Sequence, residues 1–266
     1  MKISCVIPTC NRNDLLAEAI RSVLQQTRKP NEIIVVNNGS EDVVLPADMS
    51  GQVTVLTMMP FVGVAQARNF GAMNASGEFV AFLDDDDLWS KNYLENVEAA
   101  INRGAQIIIS RLDKYVAGQI SAFKQAHGKI TLDRLLVYNP GITGSNTVIA
   151  RELFFSLGGY DPKLPPSEDK SLILEAVRQN IAITTLPDNV SFVRFHNAGR
   201  LTNDAKMAEG IYQFVRKYGS IMNWYQRLLN WLKVYQHRYR SGKRLSFIPF
   251  VFCYIIFRLA KPWQRS

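Results

Sequence analysis

The 266-residue sequence holds only three cysteines, Cys5, Cys10 and Cys253. Their odd number argues against a disulfide framework, and their spacing forms neither a CxxC pair nor a zinc-ligand pattern. A reducing cytoplasm is the compartment this usage predicts. The loop after the first apolar run has no GxGxxG, which argues against a Rossmann dinucleotide enzyme, and the absence of GxxxxGK[ST] removes P-loop phosphoryl transfer. Repeats and low-complexity tracts are absent. The C-terminal apolar run, "FIPFVFCYIIFRLA", is 14 residues long and contains Pro249 and Arg258, too short to span a bilayer unaided. The strand-like "KISCVIPT" begins within two residues of Met1, so no signal peptide is expected. The last absence is one of charge sign. Residues 210–266 carry 11 Lys and Arg and no acid, net +11, whereas residues 1–209 carry 20 Lys and Arg against all 23 acids, net −3. The overall +8 therefore belongs to a C-terminal appendage rather than to the main body of the chain.

What is present is an ordinary globular composition, 47% hydrophobic and 20% charged, long enough for one large α/β domain or one domain with an appendage. The first hundred residues alternate strand and helix signals. "ISCVIPT" is a short apolar run closed by Pro8, and "DLLAEAIRSVLQQ" places Leu15, Leu16, Ala19, Ile20, Val23 and Leu24 at helical spacing, with Asn11 or Asn13 as its cap. "EIIVVNNGS" and "QVTVLTMM" read as further buried strands. "GVAQARNFGAMNASG" reads as a helix with Gly77 just past its end. "EFVAFLD", a helix near "KNYLENVEAAINR" and a strand at "AQIIIS" follow, and a clear helix lies near 169–179. Strands buried on both faces and separated by helices predict a mostly parallel sheet with right-handed crossovers. Ligands bind beyond the carboxyl ends of such strands, so "PTCNR", "NNGS" and "DDDD" should converge in one crevice.

The four consecutive aspartates, Asp84 to Asp87, end a strand with no polar alternation. Like charges this close repel one another. An exposed acidic turn fits poorly, and a calcium loop lacks its alternating ligands and glycine. A hard divalent cation, Mg²⁺ or Mn²⁺, shared with a diphosphate would relieve the repulsion. Alternation along an extended chain would direct Asp84 and Asp86 to one side, leaving Asp85 and Asp87 to serve the turn and the next helix.

Six segments in order, "CVIPTCNR", "IIVVNNGS", "GVAQARNFG", "FLDDDDLW", "GGYD" and "SEDKSL", closely resemble the family-2 glycosyltransferases with the GT-A fold, over residues 3 to 200. The resemblance implies transfer of a sugar from a nucleotide diphosphate donor to an acceptor hydroxyl, with inversion at the anomeric carbon. It makes Asp86 the direct metal ligand and places Asp84 nearer the ribose, with Asp85 beside them in the nucleotide-sugar site. Pro8, Thr9 and Arg12 would border the nucleotide, and Arg68 and Asn69 would lie near the base or ribose. Asp169 would be the general base, with Glu168 as the neighbour that holds or replaces it. Relatives commonly carry an aspartate where this chain has Asn37 and Asn38. An asparagine oxygen still accepts from uracil N3–H, but its amide equally donates, so a UDP donor stays open rather than fixed. His196 is either a structural histidine or, as in family members, a group that meets the metal or diphosphate. Arg200, four residues later, would neutralise phosphate.

In the basic tail, Ile221, Trp224, Tyr225, Leu228, Leu229, Leu232, Tyr235 and Tyr239 share one helical face, with Arg227, Lys233, Arg238 and Arg240 opposite. Three readings stand: a helix packed on its own domain, a monotopic helix in an anionic leaflet, and a nucleic-acid surface, which the high apolar content disfavours. The expectation is an α/β, GT-A-like, mostly parallel sheet flanked by helices over residues 1–209. Residues 1–110 form its nucleotide-sugar half and 111–209 its acceptor half, and 210–266 form a basic, aromatic, helical, membrane-associated tail. The expected enzyme works at the inner face of the plasma membrane on a saccharide acceptor, lipid-linked in polysaccharide assembly, with no nucleic-acid partner. A sugar-nucleotide pyrophosphorylase and a non-catalytic membrane-surface binding protein are the alternatives.

Overall fold

The computed structural model describes residues 1–116, 118–123, 130–195 and 203–260. The chain opens with β1 (Ile3–Thr9), α1 (Asn13–Leu24) and β2 (Glu32–Asn37). Then come β3 (Thr54–Thr57), α2 (Val64–Asn74), β4 (Phe79–Phe82), β5 (Leu88–Trp89) and α3 (Tyr93–Ile101). The second half adds β6 (Ile107–Val116), β7 (Gln119–Ala122), α4 (Leu132–Val137) and β8 (Thr147–Ala150). α5 (Arg151–Ser156), α6 (Glu168–Arg178) and β9 (Thr184–Arg194) complete it. Three helices close the described chain: α7 (Asp204–Tyr218), α8 (Trp224–Arg240) and α9 (Phe247–Ala260).

The strands form one sheet ordered β3-β2-β1-β4-β8-β6-β9-β5, with β7 paired to β6 as a hairpin. β3, β2, β1 and β4 run parallel. β8 lies antiparallel between β4 and β6, and β6 and β9 return to a parallel ladder. Successive side chains on a strand point to opposite faces, and here each face meets its own helical layer. Val6, Ile34, Val36, Val80, Phe82 and Ile149 pack with α2, α4, α5, α6 and α7. Ile3, Cys5, Ile7, Ile33, Val35 and Val148 pack with α1 and α3. Both faces being covered explains the continuous apolar runs of β1 and β2.

Three local expectations are corrected. α1 has no side-chain cap; Arg12 is its N-cap residue. Asn11 and Asn13 instead stitch the loop after β2, accepting from the backbone N–H groups of Glu41 and Val44. Gly77 does not terminate α2, whose cap is Ala75; it packs under β1, where a Cβ would lie 2.4 Å from Ser4 Oγ. β3, expected to be buried, is an edge strand with three of its four residues exposed.

The C-terminal helices are anchored by unexpected residues. α7 and the turn after it contribute Phe214, Val215, Tyr218 and Met222 to the core. The buried face of α8 is Gln226, Asn230 and Val234 rather than its aromatic stripe. The last carbonyls of a helix lack intrahelical donors. At the end of α4, Asn230 Nδ2 supplies one to Leu136 O at 2.9 Å, and the Lys233 ammonium supplies one to Val137 O. Gln226 also donates to Asp133. Trp224 and Tyr239 are left exposed.

α2 lies close against the sheet at Gly71, where an added Cβ would sit 2.3 Å from Val6 Cγ1 and 3.0 Å from Val36 Cγ2. Overpacking of this kind costs ~1–3 kcal/mol. Gly71→Ala should therefore lower the urea midpoint by a corresponding amount despite alanine's better helix propensity.

Candidate active site

β4 ends at Phe82, and residues 84–87 turn instead of extending, with Asp87 N–H donating to the Asp84 carbonyl at 3.1 Å. The expected alternation nevertheless holds in burial: Asp84 and Asp86 are partly exposed, whereas Asp85 and Asp87 are buried. Asp84 lies 2.5 Å from Arg68 Nη2. Asp85 is buried, accepts from Thr9 Oγ1 at 2.7 Å and pairs with Arg12 Nη2 at 2.6 Å. Asp86 lies 2.7 Å from Arg12 Nη1. Asp87, also buried, accepts from Ser145 Oγ at 2.6 Å and from Arg194 N–H at 3.0 Å. Asp85 and Asp87 thus serve neither the turn alone nor the next helix; they tie the turn to the carboxyl ends of β1 and β9. Burial pushes the Asp85 carboxyl up to about 6, against the pull of Arg12. Burial, reinforced by Asp86 and Asp84, holds Asp87 well above the usual carboxylate range. Oxygen atoms of Asp84, Asp86 and Asp87 lie within 4.8 Å of one another, an all-carboxylate donor set of the kind hard divalent ions prefer.

Arg68, in the second turn of α2, is the junction of the site. Its side chain is 3% exposed, and its Nη1 lies 3.4 Å from Glu168 and 3.2 Å from Asp169. The Tyr160 ring centroid is 5.2 Å from Cζ. A Cβ on Gly144 would come within 2.5 Å of the same guanidinium, so only glycine leaves the arginine room. Burial works against the Arg68 charge, but Asp84, Asp169 and Glu168 keep its pKa well above the ordinary value. Burial likewise raises Asp169 and Glu168, with Arg68 opposing the rise. Both acids lie in the first turn of α6, where the helix dipole favours negative charge. Asp169 is the more accessible, at 15% against 5% side-chain exposure.

The other expected residues divide. Asn69 holds the "GGYD" loop: its amide donates to Tyr160 O and its oxygen accepts from Tyr160 N–H. Asn37 is buried, with its oxygen on Gly39 N–H and its amide on Glu41 O. Asn38 accepts from Val62 N–H through Oδ1. Pro8, Thr9, Arg12 and Asn38 line a cleft of about 200 Å³ together with Phe61 and Lys206, which the sequence alone did not single out. Lys206 is distant in sequence, and Phe61 sits in a loop with no motif; only its unusual place between Pro60 and Gly63 was a signal. A larger cavity, about 880 Å³, between α1, β5 and the β6–β7 hairpin contains none of the expected residues. His196 and Arg200 lie outside the described residues.

The family described as "Glycosyl transferase family 2" matches residues 4–155, more than half of the sequence. The chain belongs to this family. The glycosyltransferase is 25% identical over 230 residues to an uncharacterized glycosyltransferase of Haemophilus influenzae, covering 81% of this chain and 76% of that one. It is 31% identical over 183 residues to an Escherichia coli protein, UDP-Glc:alpha-D-GlcNAc-diphosphoundecaprenol beta-1,3-glucosyltransferase WfgD, covering 67% of this chain and 70% of that one. A Rickettsia conorii relative is 40% identical over 102 residues, but only 16% of its length is spanned. Among solved structures, S. aureus TarS 1–349 in complex with UDP-GlcNAc aligns with a TM-score of 0.64 at 18% identity, over 89% of this chain and 71% of that one. GalNAc-T7 with UDP, GalNAc and Mn²⁺ aligns with a TM-score of 0.65 at 18% identity, over 81% of this chain and 48% of that one. At such identities these structures establish the GT-A-like fold.

The glycosyltransferase's α6 also carries an ammonium in the core. Lys170 is buried, with Nζ 3.4 Å from the centroid of the Phe214 ring of α7. Burial, with a contribution from Lys233, lowers its pKa to about 7. From pH 7 to the unfolded value the unfolded chain binds a proton that the native state does not, so stability rises with pH across that window and is lowest below it. Lys170→Met should remove this dependence and raise stability at neutral pH and below by on the order of a few kcal/mol, less whatever the cation–π contact contributes. Urea unfolding at pH 6, 7 and 8 reads the change.

Proposed function

We propose that this glycosyltransferase moves a sugar, with inversion, from a nucleotide diphosphate donor of the UDP-sugar class to a hydroxyl of a lipid-linked saccharide during polysaccharide or lipopolysaccharide biosynthesis. The observation that carries the reading is the Arg68 junction, where one guanidinium meets Asp84 of the acidic turn and Asp169 of α6. In this reading Asp84 is the donor-side carboxylate and Asp169 the base, and one guanidinium holds both. The printed activity of the E. coli relative and the UDP-GlcNAc bound by TarS support the substrate class.

Asp86 and Asp84 are the residues that would hold Mn²⁺ or Mg²⁺, and their oxygen-only chemistry fits either ion. When bound, such an ion supplies Lewis-acid stabilisation of the charge that develops on a departing diphosphate. Asp169 takes the proton from the acceptor hydroxyl; the raised proton affinity that burial gives it brings it nearer to the working pH. Arg68 holds that carboxylate in place, and Glu168 shares the same guanidinium. A single displacement needs one base and no carboxylate nucleophile. Asp169→Asn should lower transfer by ~10²-fold or more while leaving binding of UDP with Mn²⁺ intact. Asp86→Ala should lose both metal-dependent binding and transfer. Wild-type turnover in either variant refutes its role.

We also propose that the enzyme sits peripherally on the inner face of the plasma membrane. No helix among the described residues is long and apolar enough to cross a membrane. α9 instead exposes Ile248, Phe252 and Ile255, at 71%, 66% and 52%, a helical i, i+4, i+7 row. Arg244 and Arg258 flank it, as expected at an anionic surface. Because α8 is hydrogen-bonded to α4, deleting residues 221–266 would damage the domain itself; substitutions in α9 are the cleaner test. Replacing Ile248, Phe252 and Ile255 with serine should abolish co-sedimentation with anionic vesicles at unchanged melting temperature. Undiminished co-sedimentation would remove the membrane proposal.

A further inference from the structure

The contact between α7 and α8 is partly aromatic. Tyr212 of α7 stands edge-on to Trp231 of α8, with ring centroids 5.9 Å apart, and Trp231 stacks in turn on Tyr235 at 5.7 Å. The Tyr212 ring is thus held between two helices, and two guanidiniums lie over it. Arg216, one turn further along α7, has its Cζ 6.0 Å from the ring centroid. Arg238, in the last turn of α8, has its Cζ at 5.4 Å. Arg216 is exposed and Arg238 half-buried.

Neither guanidinium has an ion-pair or hydrogen-bond partner among the described residues. The two carboxylates of α7 are engaged elsewhere, Asp204 with His237 Nδ1 at 2.6 Å and Glu209 with Gln213 Nε2 at 2.6 Å. Residues 210–266, which include all of α8, contain no acid. Two like charges gathered on one ring repel each other, and an anion met by both turns that repulsion into attraction. A guanidinium over an aromatic face keeps its planar N–H fork, which matches the paired oxygens of a phosphate.

The neighbouring helix indicates where such a phosphate would come from. α9 packs on α8, with the Phe257 ring stacked on Tyr225 at 6.1 Å, and exposes the apolar row of Ile248, Phe252 and Ile255. One helical unit therefore carries both an open apolar row and two unanswered guanidiniums. A membrane lipid offers the complement of each, acyl chains and a charged phosphate together.

We propose that Arg216 and Arg238, gathered on the Tyr212 ring, form a binding site for the headgroup phosphate of an anionic membrane lipid. The inference rests on the membrane reading of the tail and goes beyond it by placing a defined phosphate site within the basic surface.

Co-sedimentation of the full chain with phosphatidylcholine vesicles containing phosphatidylglycerol, at fixed ionic strength, tests the proposal. The double variant Arg216→Lys/Arg238→Lys keeps every charge but loses both guanidinium forks. It should bind roughly tenfold weaker, the scale of one charge-assisted hydrogen bond. Arg227→Lys/Arg240→Lys changes two arginines of α8 that have no aromatic partner among the described residues, and should bind as wild type does. Unchanged binding in the first variant, or equal losses in both, would overturn the site in favour of general basic charge. Calorimetric titration with inorganic phosphate, without vesicles, separates the two sources of phosphate. Submillimolar binding that Arg216→Lys/Arg238→Lys loses, with vesicle binding unchanged, would assign the arginines to a soluble phosphate and overturn the lipid assignment. Failure of the wild type to bind the vesicles would remove the membrane reading and this inference together. Loss of binding on replacing Ile248, Phe252 and Ile255 with serine, but not in Arg216→Lys/Arg238→Lys, would remove the arginine site alone.

Discussion

Two guanidinium groups hold this crevice together. Arg12 joins Asp85 and Asp86, and Arg68 joins Asp84, Glu168 and Asp169. Without them, a turn of four consecutive carboxylates facing two more on α6 would repel itself open. Arg68 matters most because it is buried, and a buried ion that loses a partner costs several kcal/mol. It binds α2, the acidic turn and α6 into one body, and Gly144 exists in the form it does to leave space for it. The carboxylates still outnumber the guanidiniums, which leaves the turn a net acceptor of positive charge.

The rest of the fold brings those groups together. β1, β2 and β4 run parallel, so their carboxyl ends share one edge of the sheet. The turn is fastened to that edge from both sides: Asp85 reaches back to Thr9, and Asp87 reaches across to Ser145 and to the last residue of β9. α6 supplies its two acids from its first turn, where its own dipole tolerates them. Rigid elements thus position the acids of α6 and the acidic turn, while Phe61 adopts a left-handed backbone in the loop before α2.

Much of this was legible in the sequence because burial leaves a periodic trace. The apolar runs of β1, β2, β4 and β6 and the spacing of α1, α3 and α6 marked their elements correctly. The polar ends "PTCNR", "NNGS" and "DDDD" do meet, as Thr9, Asn38 and Asp85 show. Periodicity says nothing of partners. Asn11 and Asn13 look like helix caps but bond a loop thirty residues on; Asn69 looks like a ligand residue but clamps Tyr160. α8 displays an apolar stripe yet docks through Gln226 and Asn230, because the unpaired carbonyls of α4 demand donors.

The sequence by itself determined the α/β alternation, the charge asymmetry of the tail and the set of carboxylates available for chemistry, since these follow from local pattern and composition. Only the tertiary structure decided which arginine answers which aspartate, that Arg68 faces the acids of α6 rather than standing apart from them, and that Phe61 and Lys206 line one cleft with Pro8 and Asn38. Those are contacts between residues far apart in the chain, 101 positions in the case of Arg68 and Asp169. Their geometry is fixed by sheet order and helix packing, which no local spacing records.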